Sequence, residues 1–93
     1  MDERSKVIVN SEVATRVIDG HTYVMDPDAG ALHGLNEIGG FIWDRLDAGP
    51  TITELVAAVV AEYDVETGVA LEDTTAFIEL LESKGLLTVE PAA

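Results

Sequence analysis

Apolar positions change their period twice along this chain, and the changes divide it into elements. VATRVI and HTYVMD flank Asp19-Gly20 and read as strands, being rich in β-branched residues. Asp-Gly between two such runs predicts a hairpin, because both residues tolerate the positive φ of a type I′ turn. Asp26-Pro27-Asp28-Ala29-Gly30 predicts a second turn, with Pro27 presetting φ and Gly30 free to turn left-handed. A third strand is then expected over Ala31 to Leu35. Asn36 is a candidate N-cap, after which Ile38, Phe41, Ile42 and Leu46 recur at helical spacing. Gly49-Pro50 stops this first helix, and Thr51 with Glu54 has capping-box spacing. Ile52, Leu55, Val56, Val59, Val60 and Tyr63 give the second helix its apolar stripe. A loop from Asp64 to Gly68 leads to a third helix with Leu71, Thr74, Phe77, Ile78 and Leu81 in register and Gly85 as its C-terminal stop. Leu86 to Val89 reads as a short extended tail. Residues 1–11, polar around Val7, Ile8 and Val9, read as a mobile start with a short extended piece.

The order is three strands, three helices and a stub of strand, without internal repeats. This predicts an α+β fold, winged-helix-like, in which a three-stranded antiparallel sheet precedes three helices. Ninety-three residues suffice for one domain with one core.

Charge narrows the partners. Eighteen acidic against five basic residues give a net charge of −13, and no Lys or Arg lies between Leu46 and Ser83. Such a surface repels phosphates and anionic lipid, which argues against nucleic acid and membranes as partners. The third helix, as the recognition helix of a DNA-binding domain, would carry Glu72, Asp73, Glu79 and Glu82 against the DNA backbone. No apolar run approaches the roughly 20 residues of a membrane span, and MDERSKVIVN lacks a signal peptide's apolar middle, so a cytoplasmic location is expected.

Catalytic equipment is missing from the inventory. There is no cysteine. Ser5, Ser11 and Ser83 have no placed partner, and His21 and His33 lack the close spacing of a metal site. None of these serines opens a predicted helix, which argues against a carrier of a pantetheine arm. GLNEIGG has neither Rossmann spacing nor a P-loop ending. No enzyme activity, metal or cofactor is expected.

What remains unusual is GALHGLNEIGGFIW, residues 30–43, where a glycine-rich strand runs straight into a helix. LNEIGGFIWDRLDAG, followed by TITELV and by FIELLESKGLL, resembles the PqqD-like proteins, small domains also called RiPP precursor recognition elements. The resemblance covers Gly30 to Leu87 well and the first two strands loosely. It implies a non-catalytic peptide chaperone of natural-product biosynthesis. Such a domain binds the leader segment of a ribosomally made precursor peptide and presents it to a modifying enzyme such as a radical enzyme, a cyclase or a peptidase. In that family the leader adds as a strand beside strand three, with helix three as the other wall. Carried over here, the strand contributes Ala31, Leu32, His33, Gly34 and Leu35, and the helix contributes Asp73, Ala76, Phe77, Leu80 and Lys84. Gly30 and Gly34 would clear space for a second backbone, while Gly39 and Gly40 would let the first helix pack closely. The family often has aromatic residues where this chain has Leu32 and His33, and helix three lacks a basic cluster. The alternative from another class is a regulatory winged-helix or homodimeric interaction module using the same sheet edge.

Overall fold

A computed structural model of the chain describes residues 2–26, 28 and 30–91, so the expected roles of Pro27 and Ala29 lie outside the described residues. The elements are β1 (Lys6–Val9), β2 (Ala14–Ile18), β3 (His21–Met25), β4 (Leu32–Gly34), α1 (Glu37–Arg45), a 3₁₀ turn (Leu46–Ala48), α2 (Ile52–Tyr63), α3 (Thr67–Ser83) and β5 (Leu87–Glu90). The α+β class holds.

β2, β3 and β4 form an antiparallel sheet in that spatial order. Asp19 (φ 51°) and Gly20 (φ 80°) both turn left-handed between β2 and β3, as the Asp-Gly pair predicts. Gly30, at φ 66°, closes the way into β4. Tyr23 stands opposite Gly34, Val24 opposite His33 and Met25 opposite Leu32.

The short extended piece expected within residues 1–11 is a paired strand. β1 pairs antiparallel with β5, with Val7 opposite Val89 and Val9 opposite Leu87, in a second, two-stranded sheet. Val7 is fully buried, and its amide donates to the Pro50 carbonyl at 2.8 Å. The C-terminal stub is therefore the partner of the first strand, and each covers the other's backbone groups.

Between the two sheets lies the core. Ile42 and Leu46, Ile52 and Leu55 of α2, and Ile78 and Leu81 of α3 are buried with Val24 and with Leu86 and Leu87. Trp43 fills the space beneath the sheet, and its indole Nε1 donates to Thr15 Oγ1 on β2 at 2.8 Å, satisfying its single polar group. The amide of Glu54 donates to Thr51 Oγ1 at 3.1 Å and the amide of Thr51 to Glu54 Oε1 at 3.0 Å, a complete capping box. Helix α3 starts at Thr67, ahead of the expected loop end at Gly68, and its cap residue Glu66 makes no side-chain bond. It ends in a Schellman motif: Leu86 N–H donates to the Leu81 carbonyl and Gly85 N–H to that of Glu82, both at 3.0 Å, with Gly85 at φ 74°.

Two stability predictions follow from this packing. Thr74 is 1% exposed, and among the described residues its hydroxyl has no hydrogen-bond partner. A buried hydroxyl without a partner costs about 1–3 kcal/mol, so Thr74→Val should stabilise the fold in chemical denaturation by on the order of 1 kcal/mol. The second concerns acid. Hydrogen bonds from the Thr51 amide, and then the Thr51 side chain, hold the Glu54 carboxyl below its ordinary pKa. A depressed folded value means that the stabilisation is present above the unfolded carboxylate pKa and is lost as pH falls through the folded one. Denaturation midpoints followed from neutral pH downwards should therefore drop less in Glu54→Gln than in the parent.

Candidate functional site: the groove between β4 and α3

β4 is an edge strand, with β3 on one side and no strand on the other among the described residues. Antiparallel ladders alternate, so only every second residue of an edge spends its backbone groups on its neighbour. Here Leu35 N–H donates to the Thr22 carbonyl and Asp26 N–H to that of Ala31, both at 2.9 Å. Those bonds assign residues 31, 33 and 35 to the β3 side. The N–H and C=O of Leu32 and Gly34 consequently point along the open edge.

Side chains alternate the other way. His33 faces the same side as buried Val24 and, with Gly34, Leu35 and Asn36, lines a groove whose far wall is Phe77, Leu80, Leu81 and Lys84 of α3. The groove holds about 250 Å³. Leu80 leaves 52% of its surface exposed on the rim, a large apolar side chain kept in water on a helix. Phe77 is half-buried and serves both core and groove.

Of the ten residues expected at this site, the structure gathers six: His33, Gly34, Leu35, Phe77, Leu80 and Lys84. Ala31, Leu32, Asp73 and Ala76 do not line the groove. Leu32 lies on the opposite face of β4, across from Met25, and reaches the edge through its backbone alone. Asn36 and Leu81 join the lining although the sequence marks one as a helix cap and the other as core; each is both.

The glycines need a correction. Gly30 serves the turn, and nothing lies within 4 Å of a Cβ placed on it. At Gly34 a Cβ would meet the Tyr23 ring at 3.2 Å, so the missing side chain makes room for a cross-strand aromatic on the outer face rather than for a second backbone. Gly39 and Gly40 fit their expected role. A Cβ on Gly40 would sit 3.1 Å from Thr22 Oγ1, and one on Gly39 would sit 3.1 Å from Phe77 Cε1, so α1 approaches β3 with one and α3 with the other.

Past Asn36 a second cavity of about 530 Å³ opens, sharing Leu35 and Asn36 with the groove and lined further by Glu37, Phe41, Asp44 and Tyr63 among others. Phe41 and Tyr63 meet edge to face with centroids 5.2 Å apart, and the Arg45 guanidinium lies 3.9 Å over the Phe41 ring. Desolvation, with the Glu37 and Glu62 carboxylates adding to it, pushes the Tyr63 hydroxyl above its ordinary pKa. Among the described residues no group of His, Asp and Glu is arranged to hold a metal ion, and no helix is long and apolar enough to cross a membrane.

An open strand edge facing an apolar helix shoulder is the geometry of a peptide-binding class of domain. The family model for coenzyme PQQ synthesis protein D (PqqD) matches residues 21–87, and the chain belongs to the PqqD family. A structure of TbiB1 in complex with the TbiA(beta) leader peptide is similar to it, with 30% identity, a TM-score of 0.79, and 86% of this chain and 93% of that one covered. A lasso peptide synthetase B1 complexed with its leader peptide shares the fold at 23% identity and a TM-score of 0.79, over 88% of this chain and 96% of that one. None of the curated proteins matches the sequence.

The Tyr23 contact yields a test. Gly34→Val should destabilise the fold by about 1–3 kcal/mol through overpacking, and the same substitution in a Tyr23→Ala background should cost clearly less. Equal costs in the two backgrounds, measured as a double-mutant cycle in urea, would show that the ring is not what keeps position 34 a glycine.

Proposed function

We infer that the chain binds the leader segment of a ribosomally synthesised precursor peptide as an added strand on β4, and presents it to a separate modifying enzyme in the cytoplasm. The observation that carries the reading is the pairing of an open edge with the apolar shoulder of α3. Edge amides and carbonyls give sequence-independent affinity, and the groove reads alternate side chains for specificity. The family assignment and the likeness to TbiB1, solved in complex with a leader peptide, support leader binding. The chain supplies recognition, and the chemistry belongs to the partner enzyme.

The edge geometry makes a residue-level prediction. Adding a leader peptide that the chain binds should slow hydrogen exchange at the Leu32 and Gly34 amides and leave that of His33 unchanged, because His33 already donates to β3. Leu80→Asp, at an exposed position, should weaken binding about tenfold or more with little change in thermal midpoint. Protection of Leu32 and Gly34 that rises with protein concentration in the absence of peptide would instead identify self-pairing through this edge.

A further inference from the structure

Charge is unevenly placed along the groove. Asp73, Phe77, Leu80 and Lys84 follow one another at spacings of four, three and four residues, so they share one stripe of α3. The stripe begins with a carboxylate, continues with two apolar residues and ends with an ammonium. At 1.5 Å per residue its ends are about 16 Å apart.

The contacts of Phe77 fix which end is which. Its ring edge lies against Gly39 in the first turn of α1, so the Asp73 half of the stripe belongs to the Asn36 end of the groove. Lys84 lies two turns further on, at the other end, about 10 Å along the axis. The Asn36 end is acidic beyond Asp73 as well, since Glu37 and Asp44 line the adjoining cavity, with Arg45 over Phe41 offsetting part of their charge. By contrast, Glu79 and Glu82, the carboxylates nearest Lys84 on its own helix, line a different cavity together with Asp2 and Val89, on the β5 side. Among the described residues none of Asp73, Glu37, Asp44 and Lys84 forms an ion pair, the only one being Arg4 with Asp2. The groove is therefore apolar in the middle and positive at one end, and beyond its Asn36 end it is flanked by carboxylates.

We propose that this polarity selects the leader by the order of its charges: a basic residue, then an apolar anchor, then an acidic residue, read from N- to C-terminus. The inference rests on leader binding at β4 as described above. Antiparallel addition, the pairing used throughout this protein, makes the incoming strand run from the Asn36 end toward Leu32. Its earlier residues then meet Asp73, Glu37 and Asp44, and its later ones meet Lys84. Side chains on one face of a strand recur every second residue, so charges two positions to either side of the anchor stand about 13 Å apart. Long side chains cover the remainder. Lys84 thus stands against a net charge of −13, and its place at one end gives the groove a direction.

Three blocked twelve-residue peptides of otherwise identical sequence test this by fluorescence anisotropy. One carries Lys-x-Leu-x-Glu at its centre, one Glu-x-Leu-x-Lys and one Gln-x-Leu-x-Gln. Exposed ion pairs contribute little singly, but the first two peptides differ at both ends of the groove, so the Lys-first peptide should bind about tenfold tighter than the Glu-first one. The gap should narrow as salt rises. In the double variant Asp73→Lys, Lys84→Glu the preference should fall away or reverse. Equal binding of all three peptides, abolished by Leu80→Asp, would overturn the charge-order proposal and leave leader binding standing. Failure of every peptide to bind would remove both.

Discussion

The step from Leu35 to Asn36 governs the architecture. Leu35 still belongs to the sheet, donating to the Thr22 carbonyl. Asn36 already belongs to the helix: its side chain takes the Gly39 amide at 2.7 Å and its carbonyl takes that of Gly40 at 2.8 Å. With no spare residue between ladder and helix, the direction of α1 relative to the sheet is set by bonds on both sides of one peptide unit. The first turn of α1 then meets the sheet and α3 at once, so closely that a Cβ there would crowd its neighbours at 3.0–3.1 Å. Phe77 rests on Gly39 and Thr22 on Gly40. The distance from α3 to β4, and hence the width of the groove, follows from those two contacts.

Local chemistry was legible in the sequence, and non-local chemistry was not. The Asp-Gly hairpin, the Asn36 cap and the Thr51–Glu54 box each declare themselves within four residues, because the groups that bond are neighbours in the chain. The start of α3 was misplaced for the matching reason: Glu66 caps it without a side-chain bond, so no polar signal marks it. The pairing of β1 with β5 joins residues about eighty positions apart, and nothing in KVIV or LTVE names its partner. Gly34 was misread because the side chain that explains it, Tyr23, lies across the ladder. In the groove, the lining residues of β4 and the Phe77, Leu80 and Lys84 stripe were legible from strand alternation and helical period combined with the family resemblance. Ala31, Leu32, Asp73 and Ala76 lie outside the groove's lining, since neither period says where a wall ends.

The site divides its labour between backbone and side chains. Two residues of open edge, Leu32 and Gly34, offer hydrogen bonds that almost any peptide could accept. A groove of about 250 Å³ has room for little more than one large side chain. Under the proposed reading, discrimination among peptides would fall on that single anchor and on charges at the margins. Acidic residues elsewhere on the helices keep a surface of this sign soluble and discourage nonspecific contact with nucleic acid.

The strand pair at the chain's two ends has an engineering consequence. Lys6 stands opposite Glu90, about one strand spacing away, roughly 5 Å, and the residues ahead of Lys6 still belong to the fold, since the Glu3 carbonyl takes the Thr53 amide at 2.9 Å and Asp2 and Ser5 share a cavity wall with Pro91. That pair forms a sheet of its own, separate from the one that carries β4. A unit with adjoining entry and exit can be spliced into a surface loop of another polypeptide without stretching either flank.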